Sequence, residues 1–178
     1  MKTLFLAILS TMAMLAPCHS FVVPLEFGSK CKRSDAIVRG VVIDIVTVAG
    51  VVESSGGGEE AILEEDWAGP TSLAVIRVVS VIKGDSKSIG SFVFVPCGYN
   101  FDESPCELTE SKDYILFLES MGRNYFHPLG PFCMHRVQKE VVGMSGFDWG
   151  GDFDPENKSR ETVSLDEFVR RIKTATRN

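Results

Sequence analysis

No two of the five cysteines stand in C-x-x-C spacing, which excludes zinc-ribbon and thioredoxin-type chemistry. Histidine is equally scarce: there are three, and His127 and His135, parted by two prolines, do not form a zinc pair. No metal and no cofactor is therefore expected. Past residue 20 no apolar run approaches the length that crosses a bilayer. Lys and Arg total 18 against 24 Asp and Glu, a net charge of −6, and outside an acid-rich stretch the chain is nearly neutral, so no nucleic-acid partner is expected. No internal repeat is present. "GMSGF" at 143–147 places its second glycine one residue too early for a nucleophile elbow. Nothing else supplies an acid, a base and a nucleophile together, so no enzyme is expected.

The chain opens with Lys2, an apolar stretch from Leu4 to Ala16, and then small residues. That pattern predicts a secretory signal over 1–20, cut after Ser20, and a secreted, extracellular protein free of the membrane once the signal is gone. Pro17 disfavours a cut before Cys18. Cleavage after Ser20 leaves Cys31, Cys97, Cys106 and Cys133, an even number in an oxidising compartment and hence two expected disulfides. Four cysteines allow three pairings. A local bridge from Cys97 to Cys106 with another from Cys31 to Cys133 is one of them. The remaining 21–178 is of single-domain length.

The acids are unevenly placed. Between Ala49 and Pro70 lie Glu53, Glu59, Glu60, Glu64, Glu65 and Asp66, with no Lys or Arg, around a run of three glycines. This reads as an exposed acidic loop or hairpin tip over 49–70. A solvated insertion is the plain interpretation, and Glu59, Glu60, Glu64, Glu65, Asp66 and Trp67 are the residues that would meet a partner. Trp149 sits in a similar glycine-containing stretch. "DFDPE" spaces Asp152, Asp154 and Glu156 as a calcium loop does, but Asn157 and Val163 stand where that loop needs Gly and Glu. "NKS" makes Asn157 a glycosylation candidate.

Five strands are expected. "SDAIVRGVVIDIVTV" (34–48) is rich in β-branched residues and bends at Gly40. "TSLAVIRVVSVIKGD" (71–85) closes in a Lys83-Gly84-Asp85 turn. "GSFVFVP" (90–96) stops at Pro96, and "DYILFLE" (113–119) follows. The fifth, "YFHPLGPFCMHRVQ", is interrupted by Pro128 and Pro131. One helix is predicted over 164–176: Ser164 caps it, Glu167 completes a capping box, and Leu165, Phe168, Val169 and Ile172 share a face. The pattern predicts an all-β domain with a C-terminal helix, built as a five-stranded antiparallel OB-fold barrel.

"CKRSDAIVRG" (Cys31 to Gly40), "VIKGD" (81–85), Cys106 ahead of "DYILFL", and Cys133 in "PFCMHRV" occur in an order and spacing that resemble the tissue inhibitors of metalloproteinases and the wider netrin-like modules. The resemblance covers roughly 31–138 and implies an OB barrel. It also implies extracellular protein binding, with a metalloproteinase as the most specific partner. In that family the first cysteine of a mature C-x-C end offers its α-amine and carbonyl to the catalytic zinc. Cys18 is the one candidate for that role if it is retained, and position 20 is Ser where the second cysteine would stand. With Cys18 removed, "FVVPLEF" begins the mature chain and is expected to pack along the barrel. The rival expectation is a matrix or structural protein whose acidic loop binds a partner, without inhibitory activity.

Overall fold

The computed structural model describes residues 25–47, 51–53, 61–63, 70–99, 108–130, 132–144 and 162–177. Helix α1 (Phe27–Arg33) leads into β1 (Ala36–Thr47); β2 (Val51–Glu53) and β3 (Ala61–Leu63) follow, then β4 (Pro70–Lys83) and the one-turn helix α2 (Ser86–Ile89). Next come β5 (Phe92–Tyr99), β6 (Asp113–Gly122), β7 (Tyr125–Pro128), β8 (Met134–Gln138), β9 (Val141–Gly143), β10 (Thr162–Ser164) and helix α3 (Leu165–Arg177).

The main sheet runs β1-β4-β5-β7-β6-β8-β9-β10, and an additional β1–β6 pairing closes the first five into a ring. The result is the expected OB-fold-like barrel with a C-terminal helix. It is mixed rather than wholly antiparallel, because β5 and β7 run parallel where Phe94 meets Tyr125. Among the described residues, strands β2 and β3 pair only with each other, from Val51 with Leu63 to Glu53 with Ala61.

Closure depends on β1 serving two neighbours. Residues Ala36 to Val41 pair with β6 while Ile37 to Thr47 pair with β4, in a register that shifts at three places, one of them between Arg39 and Gly40. A Cβ on Gly40 would stand 2.5 Å from Ile76 Cγ2 and 3.0 Å from the Arg77 carbonyl. Glycine is required there because the two strands approach too closely for any side chain.

Strand β6 is buried on both faces, which explains its unbroken apolar run. Tyr114, Leu116 and Leu118 point into the barrel with Val38, Ile76 and Val93. Ile115 and Phe117 point outward into a second core formed with Cys31, Cys133, Phe168 and Ile172 beneath the two longer helices. Phe27, the last residue of the apolar leader, packs edge-on against Phe117 and Phe168.

Three sequence expectations change. Strand β5 continues through Pro96, which pairs with Leu73; among the described residues its second side has no paired strand beyond Phe94, so a residue without N–H is tolerated. The proline-broken fifth strand is two strands, β7 closing the ring and β8 extending the sheet beyond it. Ser164 does cap α3, its hydroxyl accepting from the Glu167 N–H at 3.3 Å. Glu167, however, turns away from the capping box to bond Arg170 and Arg171.

Candidate functional site

The residues that carry the family likeness are occupied in holding the barrel together. Lys83 Nζ donates to the carbonyls of Cys31 (2.8 Å), Lys32 (3.0 Å) and Ser34 (2.6 Å). A cation thus satisfies the carbonyl end of α1, where the helix dipole favours it. Gly84, at φ +105°, follows immediately, and a Cβ there would lie 3.2 Å from the Asp35 carbonyl. Asp35 in turn accepts from the Ser120 N–H at 2.9 Å. Arg39 donates through Nε (3.0 Å) and Nη2 (2.7 Å) to Asp113, and through Nη2 to Glu140 at 3.0 Å. The paired acids keep the Arg39 guanidinium charged.

Beneath α1 lies the most unusual chemistry of the described residues. Lys30 and His135 are 4% and 0% exposed. Lys30 Nζ donates to the Phe132 carbonyl at 2.5 Å and lies 3.5 Å from His135 Nε2. His135 Nδ1 lies 2.8 Å from the Gly143 carbonyl, so that nitrogen carries the proton and Nε2 is left to accept from Lys30. Burial and the neighbouring ammonium push His135 down to about 3. Desolvation lowers Lys30 as well. The imidazole ring is held between Phe117 and Phe168, at centroid distances of 5.4 and 4.8 Å.

Cys31 and Cys133 belong to this same core and Cys97 to the barrel interior. All three stand as buried thiols, and Cys106 lies outside the described residues. The expected disulfides are therefore absent among the described residues, although Cys31 and Cys133 share one cluster. Burial raises Cys31 and Cys97 to about 11 and moves Cys133 in the same direction, so at neutral pH none is a nucleophilic thiolate.

A third feature lies on the outside of the ring. In β4 and β5 the inward residues are Ala74, Ile76, Val93 and Val95. The pairs Val75–Phe94 and Arg77–Phe92 alternate with them and face out. Tyr125 lies beside Phe94, and Gly122, next to Met121, pairs with Tyr125. Val79, Phe92, Met121 and Tyr125 are 52%, 42%, 63% and 38% exposed. Exposed apolar side chains thus recur on β4, β5, β7 and the end of β6, with Arg77 paired to Phe92 and Arg123 in the β6–β7 turn. At the same end a cleft of about 430 Å³ opens between α2 and that turn, lined in part by Asp35, Asp85, Lys87 and Arg123. Both Asp85 oxygens are engaged by the Lys87 N–H and the Ser88 hydroxyl, which hold this carboxyl below its ordinary value. Two acids and two bases leave that cleft no net charge with which to select an ion.

Of the residues singled out by sequence, Cys18, Cys106, Trp67, Trp149, Asn157, His19 and the acidic residues Glu59, Glu60, Glu64, Glu65 and Asp66 lie outside the described residues, as does the 152–156 segment. His127, half-buried, places Nδ1 2.7 Å from the Pro128 carbonyl. Among the described residues no three His, Cys, Asp or Glu side chains stand together as metal ligands, and no helix is long and apolar enough to cross a membrane. The Lys30–His135 pair and the outer stripe were not foreseen. The only available signals were "FGSKCKR", whose buried lysine looks like any surface base, and the outward positions of β5, Phe92 and Phe94. No family model and no curated protein matches this chain.

Proposed function

We propose that the chain is a secreted, non-catalytic module that acts by binding another extracellular protein through the outside of its barrel. The observation that carries this reading is the exposed stripe of Val79, Phe92, Met121 and Tyr125, with Arg77 paired to Phe92 and Arg123 in the β6–β7 turn. Aromatic residues, methionine and arginine are the types enriched where proteins meet, and a continuous exposed patch of them marks an interaction site. Inhibition of a metalloproteinase is the narrower form of this proposal. It draws on the resemblance over 31–138 and requires Cys18 at the mature N-terminus. Because Lys83, Asp35, Arg39, Gly40 and Gly84 all have structural duties, the likeness supports a shared barrel more strongly than a shared activity.

Intact mass of the secreted protein tests the inhibitory reading. A chain beginning at Phe21 removes the inhibitory reading, whereas one beginning at Cys18 sustains it and calls for an inhibition assay against a zinc metalloproteinase catalytic domain. Binding to that domain by surface plasmon resonance should weaken at least tenfold in a Phe92→Ala, Tyr125→Ala double variant if the stripe is the contact surface. Unchanged affinity would reject the stripe.

A second reading is favoured by one observation: among the described residues β2 and β3 pair only with each other and with no strand of the main sheet. On this reading the acidic residues bind a partner or mineral, and the barrel is a mount. Deleting residues 53–66 separates the two, since loss of binding supports the hairpin and indifference supports the stripe.

A further inference from the structure

We infer that Lys30 and His135 form an acid-sensitive latch, which holds helix α1 against the barrel at neutral pH and releases it when His135 takes up a proton. Two basic nitrogens stand 3.5 Å apart in a site closed to water. Each is oriented by a backbone carbonyl, Lys30 by Phe132 and His135 by Gly143, which leaves Nε2 of the ring as the acceptor facing the ammonium. A second proton would place two cations in contact with no water between them, and it would also remove the acceptor that Lys30 uses.

Nothing facing the ring compensates. Strand β6 presents Phe117, α3 presents Phe168 and β9 the Gly143 carbonyl. From α1 and the approach to β8 come the Cys31 and Cys133 thiols, which burial keeps protonated and neutral. Among the described residues, Lys30 is the one charged group acting on His135. The pair is thus a buried site that accepts one proton and refuses the next.

The element free to respond is α1. It is 7 residues long, too short to be helical alone, and its Glu26 N-cap makes no side-chain capping bond. It is held by Lys30 within, by Phe27 on the aromatic cluster and by Lys83 at its carbonyl end. Opening α1 gives His135 access to water, where its ordinary value of about 6.5 applies. The sign follows: a base whose proton affinity is depressed in the closed state loses that state progressively as pH falls below its open-state value. The closed form is therefore favoured less by about tenfold for each pH unit below 6.5, until the depressed value is reached.

Hydrogen exchange of the full-length secreted protein, expressed as protection factors between pH 7 and 4.5, tests this. The Lys30 and Ser34 amides, which bond within α1 to Glu26 and Lys30, should lose about 100-fold in protection over that range. Amides of β6 and α3 should keep theirs. His135→Gln, which retains an acceptor for Lys30 but does not titrate, should abolish the pH dependence in α1. Lys30→Met, which keeps the aliphatic stem and removes the cation, should shrink it. If α1, β6 and α3 lose protection together, or if α1 in His135→Gln remains as acid-sensitive as the unaltered protein, the latch is overturned.

Discussion

Lys83 shows how one side chain can fasten two parts of the molecule. Its ammonium serves three carbonyls at the end of α1, so Lys83→Met should destabilise the protein by about 1.5–3 kcal/mol, the range for hydrogen bonds to a charged group. Urea denaturation followed by far-UV circular dichroism would read this as a lower midpoint at unchanged slope. Gly40 acts by having no side chain. Gly40→Ala forces a methyl against Ile76 and the Arg77 backbone and should cost about 1–3 kcal/mol. These two positions were visible in the sequence as parts of a motif, but their purpose was not. The partners of Lys83 lie 49 to 52 residues away, and Lys30 meets His135 across 105. A single sequence has no signal for contacts of that range between ordinary residue types.

At the scale of elements, α3 is the simplest case. Phe168 is fully buried against Phe27, Phe117 and His135, so Phe168→Ala should cost about 3–5 kcal/mol. Ser164→Ala, removing the cap, should cost about 1 kcal/mol. Thermal unfolding of the two variants should rank them in that order. Helix α3, β1, β4 and β6 were legible because each carries a long, regular apolar pattern. Helix α1 was not, since "FGSKCKR" mixes a glycine, three bases and a buried cysteine without helical period, and tertiary packing decides its conformation. The fifth ring strand was legible in place but not in extent. Pro128 ends β7 and Pro131 precedes β8, so what looked like one damaged strand is two short sound ones serving different neighbours.

For the molecule as a whole, the separation of hairpin and barrel makes a plain prediction. Removing residues 53–66 shortens the connection between β1 and β4 and leaves every strand of the ring in the sequence, and loop-closure entropy changes slowly with length, so stability should move by less than about 1 kcal/mol. A larger loss in a denaturation experiment would mean that the acidic stretch is part of the barrel's support. The five-stranded architecture was legible from the number and order of strands, while the parallel β5–β7 contact was not, because strand direction leaves no mark on composition.

The double pairing of β1 also sets an order of events in time. Its seam with β6 joins Ala36 to Leu118 and Val41 to Asp113, and α1 finds its carbonyl at Phe132 and its ring at His135 later still. A chain emerging from the ribosome can form the β4–β5 hairpin early, yet the ring has to wait for a strand made much later. Contacts so distant along the chain slow folding towards milliseconds to seconds. Through that interval the faces of β1 and β4 destined for the interior stay exposed, the state in which aggregation competes with folding.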